Sequence, residues 1–397
     1  MAQGSVLIAR DNTDLTKGST NNGQPGYPTP PDQYMSPSQL RDLFLQTAIY
    51  KNIMMDPVSY SQGSTLNIKV PQTGLAQKVR FLSTLTATTA ANLAAAPTAK
   101  APFSLITQLV YNDPSGNTRV NAPAWTLYNL MQVRRRYGFD PANGAVGGLA
   151  SNTAVANLVY NNPTLTTAVQ NVRFFVDVPI TMSDFDTRGG LLLESATSPS
   201  FISLQFNNNP MDTNASASIE SPYTNNSSAT TITIAGSINP VYYYWSPAYV
   251  QGPHGAVLPI PVDDLNLVHE IITQRNSNAL NANTDNRFTL PTGRSYYRAM
   301  ASYVNNNAMS AGLTAVKFAY DNSNNTLNES LQAYFSRTRW DLDRDLPLGV
   351  YLWDFTHRPW DSNHYGQLDA ILSFDGTSLT SPYVDYTRDT LYMAPIS

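Results

Sequence analysis

Residues that could carry out catalysis or hold a metal ion are few in this 397-residue chain. It contains no cysteine and only four histidines, which are His254, His269, His357 and His364. The absence of cysteine excludes a disulfide scaffold, a thiolate metal site and a cysteine nucleophile. A histidine-based catalyst would have to be built from these four residues, and none of them stands in a catalytic motif.

The segment that starts at His269 resembles the beginning of the zinc-protease helix motif. His269 and Glu270 fit its first two positions, but Thr273 stands where the second histidine ligand must lie one helical turn later. A metal ion at this position would lack one of its ligands. The sequence therefore favours a structural role for His269.

Alternating carboxylates in the segment 341–345 (Asp-Leu-Asp-Arg-Asp) are spaced as in a calcium-binding loop. Position six of such a loop should be glycine and position twelve glutamate, but here they are Leu346 and Leu352. We therefore expect a turn whose acids pair with nearby arginines. No G-x-S-x-G motif, P-loop or glycine-rich dinucleotide turn after a strand occurs either. The sequence predicts no catalytic residue, no cofactor and no metal site, hence a protein that is not an enzyme.

The only basic run is Arg134-Arg135-Arg136, at the end of a predicted helix over 124–136. Cations at this place are stabilised by the partial negative charge of the helix C-terminus. An alternative is that the run faces an anionic membrane or a genome. With a pI near 5.5 the chain as a whole has no basic footprint, so direct genome binding is not expected.

The elements that must position these residues begin with a helix. Ser36 can cap it, Pro37 suits its first position and Gln39 completes a capping box. Apolar residues follow at three- and four-residue spacing, which predicts an amphipathic helix of about four turns within an N-terminal segment 36–56. From residue 57 the apolar period changes to two.

Short strands account for most of the remaining chain. In the first half we predict them at 65–70, 78–85, 104–111, 172–178, 201–206, 230–234 and 241–245. In the second half we predict them at 267–273, 296–304, 314–320, 350–355, 367–374 and 390–393. Helices are predicted at 124–136, 184–193 and 328–339. With a turn-rich break at 246–255, the pattern fits two β-sandwiches in tandem, over 57–250 and 251–397.

Two kinds of segment fall outside this pattern. Residues 1–35 are rich in Pro, Gly and Asn, so we predict a flexible arm that becomes ordered against a neighbouring subunit or else is only a tail. The Asn-rich segment 207–229 is predicted to be a long exposed loop, and 305–307 and 322–325 have the same character. We place these loops at one exposed end of the sandwiches.

Composition points to a surface that meets other protein. Charged residues are 13% of the chain, about half the usual share, and 23 tyrosines are present. No apolar stretch approaches the roughly 18 residues of a membrane span, and the first residues do not resemble a secretory signal.

The order of segments resembles the double-jelly-roll major capsid proteins of tailless, membrane-containing icosahedral phages of the tectivirus group. The resemblance covers about residues 38–397 in order and approximate length. It is carried by Leu109-Val110-Tyr111-Asn112-Asp113-Pro114 with Trp125, by Arg337-Thr338-Arg339 with Asp345-Leu346-Pro347-Leu348-Gly349-Val350-Tyr351, by Val257-Leu258-Pro259-Ile260 and by Tyr365-Gly366-Gln367-Leu368.

This resemblance implies an all-β chain of two eight-stranded jelly rolls that forms a homotrimer with a pseudo-hexagonal outline. It implies a virion location with assembly in the host cytoplasm, and contacts with neighbouring capsomers and with vertex (penton) and minor capsid proteins. It also places the N-terminal helix toward an internal membrane and the long loops on the outside.

A rival hypothesis is a carbohydrate-binding or glycan-cleaving protein with two β-sandwiches, such as a viral spike or fibre. Glycan cleavage needs two carboxylates about 5–10 Å apart in an aromatic-lined cleft. The sequence allows Asp354 and Asp361 beside Trp353 and Trp360 for this purpose.

Overall fold

A computed structural model gives the architecture of the chain. It describes residues 36–90, 94–134, 160–213, 218–225, 227, 231–252, 255–276, 280–281, 284–320, 324–342, 346–356, 359–362, 368–375 and 379–393. The predicted arm 1–35 lies outside these residues, as do His254, His357, His364 and the arginines at 135 and 136. Within the described part of the chain, no helix is long and apolar enough to cross a membrane.

The first helix begins where the sequence predicts. It is α1 (Pro37–Thr47), and Ser36 caps it with both bonds of the capping box. The Ser36 amide donates to Gln39 Oε1 at 2.9 Å and the Gln39 amide donates to Ser36 Oγ at 3.3 Å. Leu40 and Phe44 are the residues of α1 that face the core. The helix is shorter than predicted, because Ala48 is already extended and a strand follows at once.

The helices and strands alternate irregularly along the chain. The helices after α1 are α2 (Ala124–Arg134), α3 (Val262–Leu265) and α4 (Leu331–Leu342). The strands of the first half are β1 (Ile49–Met54), β2 (Val58–Ser59), β3 (Thr65–Lys69), β4 (Leu75–Thr89), β5 (Ala96–Pro97), β6 (Ile106–Asn112), β7 (Thr118–Ala122), β8 (Gln170–Val172), β9 (Phe175–Pro179), β10 (Leu191–Leu192), β11 (Phe201–Phe206), β12 (Met211–Asp212), β13 (Tyr223–Thr224) and β14 (Ile232–Ser246). Those of the second half are β15 (Val250–Gly252), β16 (Gly255–Val257), β17 (Leu267–Asn276), β18 (Asp285–Leu290), β19 (Ser295–Asn305), β20 (Ala308–Met309), β21 (Leu313–Tyr320), β22 (Asn324–Ser330), β23 (Val350–Asp354), β24 (Trp360–Asp361), β25 (Leu368–Phe374) and β26 (Tyr383–Met393).

Three large sheets build two sandwiches. The first sheet contains seven strands with β1, β14 and β4 side by side, and the third contains β18, β25, β21 and β22 in that order. The second, which we call the shared sheet, has ten strands and runs β20-β19-β26-β17-β7-β6-β11-β3, with β23 and β24 on β19. Its halves belong to different sandwiches and are joined by the parallel pair β7–β17, where Val120 lies opposite Ile271.

The helix α2 lies inside the first core. Its residues from Ala124 to Met131 are all buried, and the helix lies against β9 and β6. Buried residues lie on every side of this stretch, including the polar Thr126 and Asn129, so the helix is enclosed by the core. The core around it also includes Met300 and Leu352 from the second half, so that the two sandwiches share packing.

The predicted helix over 184–193 is wrong. Residues 181–190 form turns, and β10 and a 3₁₀ turn, Leu193–Ser195, follow. Gly189 has φ +79° and its position leaves no room for a side chain, because an added Cβ would lie 2.3 Å from His269 Cβ. Tertiary packing therefore overrides the helical pattern of this segment.

The two strands predicted at 230–234 and 241–245 are one strand, β14, which pairs with β4 along its length. Pro240 had indicated a break. It lies where the neighbour on the other side changes from β1 to β2, so its missing N–H interrupts no continuous ladder.

Candidate functional site

The sequence candidates for chemistry do not form a catalytic centre among the described residues. His269 is buried in β17, and Thr273 bonds Thr387 across the sheet at 2.9 Å. The described residues contain no cluster of three or more His, Asp or Glu side chains that could hold a metal ion. The calcium-like segment 341–345 lies outside the described side chains, so its prediction stays a prediction.

Trp353, one residue of the carbohydrate hypothesis, does not line a cleft. Trp353 is fully buried in the second core, where it packs against Phe318 and Tyr334. Asp354 Oδ1 accepts hydrogen bonds from the amide and the hydroxyl of Thr356 at 2.9 and 2.6 Å. A side chain with no exposed surface cannot stack on a sugar, so Trp353 is a core residue.

Charged residues gather where the two sandwiches meet. At the α1 end, Arg41 donates two hydrogen bonds to Asp264, Nε to Oδ2 at 2.7 Å and Nη2 to Oδ1 at 2.6 Å. Asp264 is only 2% exposed and also accepts a bond from the Thr187 hydroxyl. Bidentate Arg–carboxylate pairs combine strength with fixed orientation. This pair ties α1 and the 181–190 turns to α3, at the start of the second half.

A second group lies deeper in the same end of the junction. His269 Nε2 is 2.7 Å from Asp389 Oδ1, and the Arg298 guanidinium donates to Asp389 Oδ2 at 2.8 Å. His269 and Asp389 have no exposed side-chain surface. His269 Nδ1 lies 3.1 Å from the carbonyl oxygen of Ile180 in the first sandwich. Together these bonds join β17, β19 and β26 to the first sandwich.

A third group closes the opposite end of the junction. Lys100, which is 4% exposed, lies 2.6 Å from Glu220 and 3.7 Å from Asp385. Arg275 pairs with the same two carboxylates, and the Tyr383 hydroxyl donates to Glu220. Lys100 and Glu220 belong to the first half of the chain and the other three residues to the second. We call these three groups of bonds the junction lock.

Charges around Glu220 set the direction of its pKa. Burial works against the carboxylate, but Lys100 and Arg275 outweigh it and hold the pKa of Glu220 below its usual range. Burial and the Glu220 charge raise the pKa of Tyr383, so its hydroxyl stays protonated and can donate. The group is thus assembled around an ionised Glu220.

We expect acid to weaken this end of the junction lock. A carboxylate whose folded-state pKa is lowered stabilises the fold above its unfolded pKa of about 4.3, and this stabilisation is lost as the pH falls through the folded value. Because Glu220 is 41% exposed, the loss should be about 1 kcal/mol or less. Denaturant midpoints measured between pH 6 and pH 3 should fall more steeply for the natural protein than for Glu220→Gln. The exposed Glu194 provides the control, and an equal difference from Glu194→Gln would contradict this expectation.

The outer face of the first sheet is poor in unpaired charge. Near α1, Lys78 pairs with Asp184 at 2.7 Å and Arg80 with Asp177 at 2.6 Å. Further along β4 and β14 the outward side chains are all uncharged. They are Thr84, Thr86, Thr88, Thr233, Ala235, Ser237 and Asn239. A facing protein would meet this wall without having to desolvate an unpaired charge.

Three large exposed apolar side chains lie near α1. Ile49 follows the helix directly, and Phe185 adjoins Asp186, whose carboxylate is 3.9 Å from Arg41. Met393 pairs with Leu267, close to α3. Ile49, Phe185 and Met393 are 55%, 87% and 72% exposed. We call this surface the apolar end.

The segment 207–229 differs from the predicted exposed loop in its described residues. Asn207 is buried and its amide donates to the carbonyls of Ser104 and Glu220, both at 2.9 Å. Met211 and Tyr223 are buried in the first core. The small sheet β12-β13-β5 holds this segment against the sandwich. The Asn207 side chain thus donates to backbone carbonyls in place of a backbone N–H. The composition alone could not indicate this.

Solved structures of viral capsids share this architecture. The STIV MCP superposes with a TM-score of 0.63 at 12% identity, covering 87% of this chain and 97% of that chain. The atomic structure of Sulfolobus turreted icosahedral virus gives 0.63 at 13% identity, covering 87% and 91%. The quasi-atomic model of the PBCV-1 virus capsid gives 0.53 at 9% identity, covering 88% and 98%. The fold is a double jelly roll.

The predicted fold class is thereby confirmed, and the double jelly roll extends over nearly the whole described chain. No family model matches the sequence, and no curated protein does so either.

The sequence favoured a structural role for His269, but it did not indicate the other residues of the junction lock. A signal for them existed in β26, where Asp385, Thr387 and Asp389 alternate with Val384 and Tyr386. Polar side chains on one face of a strand usually indicate solvent, but here that face of the double jelly roll meets the other sandwich.

Proposed function

We propose that this protein is the major coat subunit of an icosahedral virion. The observation that carries the proposal is a double jelly roll in which two sandwiches are held side by side by a buried junction lock. A shell subunit must keep its shape while its neighbours press on it, and a fixed junction provides this. In this role no residue is catalytic, and the function resides in contact surfaces.

The subunit is proposed to form a homotrimer. Three chains with two sandwiches each present six similar walls, so a closed three-fold contact yields a pseudo-hexagonal unit that can tile a lattice. The charge-poor outer face of the first sheet suits such a contact, because it offers area without unpaired charge. Neighbouring capsomers, vertex proteins and minor capsid proteins would be the further partners.

Assembly provides the direct test of this proposal. Light scattering after size-exclusion chromatography should show a trimer of the 43.5 kDa chain, and concentrated samples should form hexagonal arrays in electron micrographs. Thr86→Glu places a charge on the outer wall and should reduce trimer formation at least tenfold without changing the fold. Thr289→Glu, at an exposed position of β18, is the control for the added charge. A strictly monomeric natural protein at high concentration would refute the proposal.

An internal membrane is proposed to face the apolar end. This proposal is supported by the exposed Ile49, Phe185 and Met393 around α1. Apolar side chains on a rigid surface bind the boundary of a bilayer in proportion to the area that they bury. The sequence resemblance to membrane-containing phages agrees with this orientation. Assembly in the host cytoplasm is proposed on the same resemblance.

Flotation with phosphatidylcholine vesicles tests the membrane contact. Replacing both Phe185 and Met393 by serine should reduce the floated fraction several-fold. Leu348, 63% exposed beside Asn307 near the other end of β19, gives the matched control Leu348→Ser. Equal loss with the control would show non-specific adsorption, and no flotation of the natural protein would refute the membrane contact while leaving the shell proposal intact.

A further inference from the structure

His269 is held by an unusual set of hydrogen-bond partners. Its Nδ1 faces the carbonyl oxygen of Ile180 at 3.1 Å and its Nε2 faces a carboxylate oxygen of Asp389 at 2.7 Å. A carbonyl and a carboxylate can only accept, so each nitrogen needs a proton to make its bond. A neutral imidazole carries one such proton and an imidazolium carries two. The contacts therefore match the imidazolium.

The alternative is that the shared proton sits on Asp389. The other oxygen of Asp389 accepts a bond from Arg298 at 2.8 Å, and an adjacent guanidinium favours the ionised carboxylate. The carboxylate form then leaves His269 as the only donor in its contact with Asp389. Geometry and charge both assign the proton to His269.

Charge balance leads to the same assignment. The second carboxylate of the group is Asp354, with Oδ1 3.9 Å from Arg298 Nε. Two anions face Arg298, and a neutral His269 would add no positive charge to this group of four residues. An imidazolium brings the group to neutrality, which reduces the cost of burying it.

The charged groups on the surrounding elements do not alter this balance. Toward α1, Arg41 and Arg188 are matched by Asp186 and Asp264. On the opposite face of the sheet lies another set of ion pairs, formed by Glu270 with Arg294 and Arg388. The strands themselves separate that set from His269.

The first sandwich packs closely against His269. Gly189 lies against it so closely that any side chain there would collide with the histidine Cβ. Ile180 and Gly189 belong to the first sandwich, whereas His269 and Asp389 belong to the second. The bond from Nδ1 to Ile180 thus crosses the junction, and it depends on the second proton.

We propose that His269 is an imidazolium at neutral pH and serves as a proton-dependent clamp between the two sandwiches, which loosens when alkali removes its second proton. The native state, which makes both bonds only with the protonated ring, binds that proton more tightly than the unfolded chain. The clamp's contribution is complete below about pH 6.5 and decreases as the pH rises through the native titration. Between about pH 6.5 and the native titration the equilibrium constant for folding should fall up to tenfold per pH unit. The clamp does not depend on the role proposed for the chain.

Selective ¹⁵N-histidine labelling tests the protonation state directly. Long-range proton–nitrogen spectra of the natural protein at pH 7 should show protons on both nitrogens of one histidine, and His269→Gln should remove that signal. A signal from His269 with one protonated nitrogen would overturn the proposal. Because the spectra come from the natural chain, this measurement does not depend on whether the variant folds.

Stability against denaturant between pH 6 and pH 10 tests the clamp. The advantage of the natural protein over His269→Gln should be largest at pH 6 and should shrink at higher pH. Thr273→Val removes a neutral bond from the same face of β17, so its effect should be independent of pH. Asp354→Asn removes one anion and should lower the pH at which the histidine signal changes. An advantage that stays constant up to pH 10, or a signal unmoved by Asp354→Asn, would overturn the clamp.

Discussion

Replacing Asp264 with alanine is expected to lower the free energy of unfolding by about 3 kcal/mol. The carboxylate is almost fully buried and accepts both bonds of Arg41 and the hydroxyl of Thr187. Its removal leaves a guanidinium, only 23% exposed, whose remaining close counter-charge is Asp186 at 3.9 Å, a carboxylate that Arg188 already binds. Breaking a buried pair by deleting one partner costs more than the pair itself contributes, because the remaining charge stays desolvated.

Denaturant titration followed by tryptophan fluorescence measures this loss. The neighbouring Asp263→Ala is the control, since Asp263 takes no part in the described bonds of the junction lock. Asp264→Asn keeps the shape of the side chain and one oxygen acceptor. Its loss in free energy of unfolding should therefore be smaller than that of the alanine variant. A loss below 1 kcal/mol, or one equal to that of Asp263→Ala, would mean that α1 is held mainly by Phe44 and its apolar neighbours.

The α1 end of the chain shows what a sequence can and cannot predict. The cap at Ser36 was predictable because its two bonds join residues three positions apart. The bond from Arg41 to Asp264 was not, since 223 positions separate the two residues. Periodicity reports which face of an element is apolar, but it does not tell which other face will cover it.

The strand β26 shows the same limit of prediction from sequence. Only its last residues, 390–393, were predicted, although the strand begins at Tyr383. The part that was not predicted carries three charged residues, Asp385, Arg388 and Asp389. They are buried because each has an opposite charge on a neighbouring strand, which no local pattern encodes.

The low charge of the chain takes on a more specific meaning from the structure. Composition suggested an uncharged polar surface. The outer face of the first sheet fits that description along residues 84–88 of β4 and 233–239 of β14. Some of the described charges lie inside instead, in the junction lock, where Asp264, Asp385 and Asp389 are buried. Such a distribution favours a rigid subunit whose walls can meet copies of themselves. The buried charges are already paired within each subunit, so contact between walls would not have to desolvate them.

Trp353→Ala is expected to have the largest effect of any single change in the second sandwich, with a loss of about 3–5 kcal/mol. The side chain is fully buried and lies among Phe318, Tyr334 and other rings of the second core. Its removal leaves a large cavity that the sheets on either side cannot close. Calorimetry or denaturant titration of the purified variant would measure the loss.

Trp353→Phe separates this packing role from a role in binding sugar. The indole nitrogen has no hydrogen-bond partner among the described residues, so phenylalanine should be tolerated with a loss of about 1 kcal/mol. A core residue requires volume, whereas a sugar-stacking residue requires an exposed ring. If Trp353→Phe kept the fold but abolished specific binding in a glycan screen, the result would support the carbohydrate hypothesis. The buried position of Trp353 argues against that hypothesis. Unchanged trimers and arrays from the same variant would instead show that this ring supports the proposed coat subunit only through its packing.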